Sequence, residues 1–427
     1  MGLEIFERGD LPRWAPVRQT LDDTDIGDIR QAVAAQFQRA GVGERILPGQ
    51  RVALTAGSRG IDRIDQVLQA CVAEVRARGA EPFIVPAMGS HGGATAEGQR
   101  ELIAHYGITE ETMGCPILSS METVHLGYVE NDVPVWIDKN AYGADAVIPV
   151  GRVKPHTDFR GPIESGLMKM IAIGLGKQHG AEFFHFQGMQ EFYHLIPAVA
   201  NYTLSQVNIP FGVAVIENGY GTLAQAEAVP AERIFEREQE LLRIAKGRMG
   251  RLPGEAIDVL IIDRIGKDIS GDGADPNVIN RDVAGALPIS EVPVRPSVQR
   301  VIIRDLTDDT EGNASGIGMG DVVLRRAVER MDPVATYMNM ITAKAPQGAR
   351  IPLTVDNDRQ ALQIALACCI KTVPETARIA RILDTKHVET FWASEALLPE
   401  ILDDDKVTQA GELQAIAFDG SGMLAYG

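Results

Sequence analysis

Cysteine is scarce in this chain: Cys71, Cys115, Cys368 and Cys369 are all that 427 residues contain. None stands in a CxxC pair, which excludes a disulfide framework and argues against a zinc or iron–sulfur site built from cysteine. Long apolar runs are missing as well, and none approaches the roughly 20 residues that span a bilayer. The opening MGLEIFERGDLPRW lacks a basic start followed by an apolar block, so secretion is not expected and a reducing cytoplasm is. Basic residues are in deficit, 41 Lys and Arg against 58 Asp and Glu, giving a formal charge of -17. A chain of that sign repels nucleic-acid phosphates. Internal repeats and low-complexity tracts are absent too, which excludes solenoids and disordered arrays.

What is present is an alternation of short apolar strands with helical patterns. The 45% hydrophobic content suits a globular chain, and its length exceeds one ordinary core. Strands are expected at Arg51–Thr55, Pro82–Ala87, Ala144–Val150 and Phe211–Ile216. Helices are expected near Asp62–Arg78, capped by Asp62 and stopped by Gly79, and near Ala96–Tyr106, capped by Thr95 and stopped by Gly107. A break at GRMGRLPGE (247–255), after a charged helix at 231–246, precedes a second alternating series. That series has strands near 257–263, 300–306, 351–355 and 378–383, and helices near 321–331 and through Cys368.

The expected fold is therefore α/β, two domains with mainly parallel sheets and an active-site cleft between them. The expected boundaries are 1–250, which residues 410–427 (Leu413–Tyr426 in particular) are candidates to complete, and 251–409.

Every conspicuous loop follows a strand, where open α/β sheets carry their functional residues. Between Gly151 and Gln178 five basic residues (Arg152, Lys154, Arg160, Lys169, Lys177) face two acidic ones (Asp158, Glu164) inside this acidic chain. A local excess of positive charge among glycines and apolar residues suits an anionic substrate or a cofactor phosphate. In GSRG, Arg59 can hold a carboxylate or phosphate bidentately, and Gly57 and Ser58 begin an anion nest; Lys177 is a further cofactor-binding candidate.

His91 in GSHGG and His156 after Lys154-Pro155 are acid–base candidates, since imidazole titrates near neutrality. Lys169, in the apolar SGLMKMIAIGLG, is either paired, with Glu164 as the candidate, or a desolvated amine open to covalent attachment. His185, in AEFFHF, is either a metal ligand or a satisfied core residue. In the second domain Lys267, Asn280 and Arg281 are candidate substrate contacts on loops that match no EF-hand, Walker or clean dinucleotide motif.

The GSRG loop, the GSHGG loop, the KPH segment, SGLMKM and FFH, with sixteen residues from Lys169 to His185 and 65 from His91 to His156, together resemble the lactate racemase superfamily. The resemblance covers the N-terminal part well and the C-terminal part in general layout only. It implies a nickel-pincer nucleotide, a pyridinium mononucleotide (pyridinium-3,5-bisthiocarboxylic acid mononucleotide) whose sulfur arms hold Ni in a planar pincer. Lys169 would be joined to it as a thioamide, His185 would be the fourth nickel ligand, and cofactor-synthesis enzymes would be the partners that load it. His91 and His156 would be the paired acid–base residues and Arg59 the carboxylate clamp for a small-molecule 2-hydroxy acid.

The chain departs from the family pattern at Ala56, at Asp158, Arg160 and Glu164, and at Asn280 and Arg281. Those departures point to a substrate other than lactate, such as a sugar acid or a hydroxy-dicarboxylate. Two other readings are open from the residues alone: an NAD-type or metal-dependent oxidoreductase using the same histidines, and a non-catalytic protein that binds a small acid or the cofactor.

Overall fold

The computed structural model describes residues 10–130, 132–281, 283 and 295–424. The chain divides into two compact bodies, one formed by Asp22–Met249 and the other by the residues up to Leu21 together with those from Gly250 onward. Strand β1 (Arg13–Gln19) opens the described chain and belongs to the second body.

In the 22–249 body, β2 (Arg51–Ala56) lies between β3 (Glu81–Pro86) and β6 (Ala146–Ile148) in a parallel sheet. Strands β4 (Thr123–Val129) and β5 (Val133–Asp138) form an antiparallel hairpin. Strand β7 (Val150–Arg152) pairs parallel with β8 (Phe211–Glu217), which pairs antiparallel with β9 (Leu223–Pro230). The single strand expected at Ala144–Val150 is thus two strands in two sheets. Its switch occurs at Pro149, whose carbonyl accepts from Val213 N–H; proline has no N–H with which to continue a ladder.

The principal helices of this body are α1 (Ile29–Phe37), α2 (Ile64–Ala77), α3 (Ala96–His105), α4 (Lys177–Gln187), α5 (Phe192–Gln206) and α6 (Ile234–Arg248). Strands β2, β3 and β8 are apolar on both faces, as sheets covered on both sides require. Leu54, Ile84, Val67, Leu68 and Val215 meet in one core. Thr95 caps α3 as expected, accepting from Gly98 N–H at 3.0 Å, and Gly107 ends it at φ +77°. Asp62 does not cap α2. Arg63 holds the cap position at φ 51°, while the Asp62 carboxylate accepts from Leu223 N–H at 2.9 Å and from Arg63.

The second body carries one large sheet. Parallel strands β10 (Ala256–Ile262), β11 (Ser297–Ile303), β12 (Val322–Leu324) and β13 (Leu353–Val355) run to one side, and β14 (Ile379–Ile382) pairs parallel with β10 on the other. Strand β15 (Thr390–Ser394) adds antiparallel to β14, β1 adds antiparallel to β15, and β16 (Val407–Gln409) and β17 (Gln414–Ala415) pair with β1. Helix α7 (Asp358–Ala367) packs Leu362 and Ala365 against Val259 and Ile302 of this sheet.

Two expectations are corrected here. The segment up to Leu21 and the terminal segment do not belong with 22–249: Arg13 and Trp14 pair with Ala415 and Gln414, and Ile416 and Leu424 are buried in the second body's core. Tyr426, the end of that expected segment, lies outside the described residues. The helix expected at 321–331 is strand β12 followed by a short helix, Arg325–Glu329, because Val322 and Val323 are completely buried between β11 and β13. Among the described residues, no helix is long and apolar enough to cross a membrane.

Candidate active site

Three strand-end loops of the 22–249 body converge on one segment, Leu167–Lys169 running into the π-helical turn Met170–Gly174. Gly57, just after β2, sits where an added Cβ would lie 3.1 Å from Met170 Cε. Gly89, after β3, has φ +58° and its N–H donates to the Gly174 carbonyl at 3.1 Å. A side chain there would be strained and would press on Ala181. At Gly174 an added Cβ would fall 2.7 Å from the Ala87 carbonyl. At Gly89 and Gly174 glycine lets backbone meet backbone.

His91 is exposed on the second of these loops. Its Nδ1 lies 2.8 Å from the Met88 carbonyl oxygen. A carbonyl can only accept, so Nδ1 carries a proton and Nε2 is the lone-pair atom of the neutral ring. The loop is fixed from behind by Gln99, whose Nε2 donates to the carbonyls of Gly89 at 2.9 Å and His91 at 3.1 Å. Gln99 is in turn held by Lys177.

Lys177 is completely buried. Its Nζ donates to the Pro86 carbonyl at 2.6 Å and to Gln99 Oε1 at 2.8 Å, and sits 3.2 Å from Asp138. The expected role of Lys177 in cofactor binding is therefore corrected: this ammonium is the internal post of the His91 loop. Burial lowers its pKa, and the Asp138 carboxylate opposes that shift.

His156 lies on the loop after β7, its side chain 11% exposed. Asp158 N–H donates to His156 Nδ1 at 3.0 Å, and Lys169 Nζ lies 2.5 Å from His156 Nε2. Phe159 stacks on the imidazole with ring centroids 4.4 Å apart. The His156 backbone N–H donates to buried Glu164 Oε2 at 2.7 Å, and Glu164 Oε1 takes Lys246 Nζ at 2.6 Å. Glu164 is thus engaged by His156 and Lys246, and Lys169 meets the imidazole. Burial holds the His156 pKa well below its ordinary value, assisted by the positive charges of Arg160, Lys154 and Arg59. Arg160, Lys154 and Arg59 acting on one imidazole make the local field positive, as the composition of the loop implies.

Arg59 is exposed at the end of β2, and the carbonyl of its neighbour Ser58 accepts from Tyr106 OH at 3.1 Å. His185 reaches the same aromatic row as His156: the ring centroids of His156 and Phe159, Phe159 and Phe192, and Phe192 and His185 are 4.4, 5.5 and 5.7 Å apart. Gly57, Ser58, Arg59, His91, His156, Lys169 and His185 thus all lie on elements packed about Lys169–Gly174.

The other candidates are in the second body and hold its own loops. Arg281 donates to the carbonyls of Met319 and Gln299 and to Asp321 at 2.7 Å, which commits its guanidinium to structure. Asn280, at φ 52°, is the left-handed cap of Pro276–Ile279, and Lys267 Nζ donates to the Gly271 carbonyl.

Glu238 on α6 is a supporting residue that no sequence signal marks. It is 1% exposed, one carboxylate oxygen accepts from Met168 N–H at 3.0 Å, and the other has no hydrogen-bond partner. It thereby secures the start of the turn that carries Lys169. An added Cβ at Gly166 would come within 2.5 Å of this carboxyl group, which accounts for glycine there.

Burial pushes the Glu238 pKa up to about 7, above its unfolded value. The folded state therefore binds the proton more tightly. The stability this contributes is complete below the unfolded pKa and is lost as pH rises through about 7. Glu238→Gln is expected to match the parent protein near pH 5 and to exceed it near pH 8, by an amount on the order of 3 kcal/mol. Urea titrations at the two pH values check this; identical pH dependence in parent and variant would contradict it.

Residues 19–192 match the family model described as the lactate racemase N-terminal domain. Among solved structures, the lactate racemase apoprotein from Thermoanaerobacterium thermosaccharolyticum superposes with a TM-score of 0.52 at 15% identity, covering 87% of this chain and 94% of that one. A protein from Thermotoga maritima superposes at 0.47 and 12% identity, over 67% of this chain and 72% of its own. No curated protein matches the chain. The fold of the apoprotein is the fold of this chain, mixed α/β with mainly parallel sheets. Residues 19–192 are thus similar to a lactate racemase N-terminal domain.

Proposed function

We propose that this protein is a racemase or epimerase that inverts C2 of a 2-hydroxy acid, with His91 and His156 as its acid–base pair. The observation that carries this reading is the opposite polarity of the two imidazoles. His91 donates from Nδ1 to Met88 and so offers a lone pair at Nε2, whereas His156 accepts at Nδ1 from Asp158 and so bears its proton at Nε2. A hydroxyl proton removed on one face and returned on the other needs a group of each polarity. Arg59, exposed and near enough for its charge to act on His156, offers the planar fork that holds a carboxylate. The positive field of Lys154, Arg160 and Arg59 lowers the cost of bringing an anion to the site.

The residues fit the nickel-pincer nucleotide that the family implies. Lys169 presents a primary amine at a half-buried position, His185 an imidazole of the kind square-planar Ni(II) accepts, and the surrounding cations suit a phosphate. Bound there, the group would supply a reversible hydride acceptor for C2. The chain itself has three tasks: Arg59 orients the substrate, His91 and His156 exchange the hydroxyl proton, and Lys177 with Gln99 keeps the His91 loop in place. A sugar acid or a hydroxy-dicarboxylate is the substrate class we favour.

The test is to incubate the loaded enzyme with single enantiomers or epimers of such acids. Formation of the C2 isomer with no net oxidation is expected. Accumulation of the 2-keto acid with a reduced dinucleotide would instead identify an oxidoreductase.

A further inference from the structure

The hydrogen-bond geometry around His156 fixes more than its own protonation. The backbone N–H of Asp158 can only donate, so His156 Nδ1, 3.0 Å away, must be an acceptor and carry no proton. The ring is therefore not an imidazolium, and its one proton is on Nε2. That Nε2–H lies 2.5 Å from Lys169 Nζ. An ammonium has three N–H donors and no lone pair, so a protonated Lys169 would set donor against donor at that distance. The contact is satisfied only by a neutral amine accepting from the imidazole.

The geometry points to a second task for His156: in the unmodified protein it holds Lys169 as a free-base amine, making Lys169 the acylation site of the chain, and acylation of that amine releases the imidazole N–H for catalysis. That the physiological acyl donor is the cofactor's activated carboxyl or thiocarboxyl arm rests on the function proposed above. The state of the amine does not.

The surroundings favour the same state. Arg59 faces the imidazole from the loop after β2, and Lys154 and Arg160 face it from its own loop. All three raise the cost of a further positive charge at Lys169. The carboxylates nearby are partly committed: Glu164 takes the His156 backbone N–H and Lys246, and Asp158 Oδ2 is 3.7 Å from His156 Nδ1 and accepts from the Thr157 hydroxyl. Phe159 covers one face of the ring and limits access of water.

In acylation the Nζ lone pair forms a C–N bond to the acyl carbon. The bond from that carbon to the leaving group breaks, the leaving group departs with the electron pair, and the surplus N–H proton passes to solvent. The nitrogen lone pair of the resulting amide is delocalised and no longer accepts, so the His156 N–H must find another acceptor. A substrate oxygen is the acceptor that the proposed reaction supplies. One imidazole thus first prepares the tether and is then freed by the tether's formation.

The experiment uses the full chain produced without the cofactor-synthesis enzymes. It is pulse-labelled with sulfo-N-hydroxysuccinimide acetate between about pH 6 and 10, the range that brackets a normal lysine, and read by peptide mass spectrometry. Exposed Lys406 serves as internal reference. The pH midpoint for Lys169 is expected at least about two units below that of Lys406, which is about a hundredfold larger free-base fraction near neutrality. His156→Phe, which removes the donor, is expected to move the Lys169 midpoint upward by at least about one unit. His156→Gln, whose amide can donate from a similar place, should retain part of the shift.

Equal midpoints for Lys169 and Lys406 in the parent protein would overturn the inference, as would a midpoint unmoved in both variants. The parent measurement decides the matter even where the phenylalanine variant does not fold. A normal midpoint with a cofactor still found on Lys169 would sink this inference and leave the proposed function standing. A lowered midpoint in a chain that binds no cofactor would do the reverse.

Discussion

Replacing His91 with alanine is expected to lower interconversion of the two C2 isomers by about 10²- to 10⁴-fold in both directions, the usual contribution of a positioned acid–base group. The side chain is exposed and hydrogen-bonds locally to the Met88 carbonyl, so the fold should be indifferent to its loss. Exposed positions of this kind change stability by roughly 0.5 kcal/mol or less. Chiral chromatography of the product and a thermal melt of the same sample check both halves of the expectation. His156→Ala should abolish interconversion as well, but it also removes the ring that meets Lys169, so the His91 variant is the cleaner of the two. Near-normal activity of either variant in both directions would refute the two-histidine scheme.

The largest expected effect on stability lies in the second body. Arg304 is completely buried and donates to both oxygens of Asp358 at 2.7 Å, to Asp263 at 2.7 Å and to the Leu424 carbonyl. Asp263 is also held by Arg381 through two further nitrogens at 3.0 Å. Arg304→Met would leave Asp358, itself 2% exposed, without its cationic partner at the start of α7. Removing one partner of such a buried pair typically costs about 3–5 kcal/mol, because the other charge stays behind unsolvated. Urea unfolding of the full chain should show that loss. Arg304→Met combined with Asp358→Leu should recover part of it, since an apolar pair no longer leaves a stranded charge. A single variant as stable as the parent would contradict the picture.

The elements most legible in the sequence are those whose signal is local. Strands β2, β3, β8 and β10 announce themselves as short apolar runs, and Thr95 and Gly107 mark the ends of α3 by capping chemistry. What the sequence conceals is decided by distant pairing. Strand β1 belongs to the sheet of β14 and β15 because its partners come from residues 390–394, 407–409 and 414–415, and no local pattern near Arg13 encodes that. Asp62 has the composition of a cap, yet Leu223 N–H claims its carboxylate from across the body.

The candidate site divides in the same way. His91, His156, Arg59 and Lys169 stand out because polar side chains amid glycine at strand ends have few structural uses. Lys177 is misread for the same reason in reverse: a lysine in a basic, glycine-rich stretch looks like a phosphate ligand. Only the fold reveals Asp138, Gln99 and the Pro86 carbonyl waiting for it inside. Gln99 and Glu238 carry no signal at all, since a polar residue on a helix is usually solvated and these two are buried.

The most direct test of the proposed chemistry is the mass of the intact chain, with nickel content, after co-expression with the pincer-synthesis enzymes. An adduct of the cofactor's mass mapped to the peptide containing Lys169, with nickel in equal amount, is the expected result. The unmodified mass and no nickel, in a host that loads a lactate racemase expressed alongside, would contradict it.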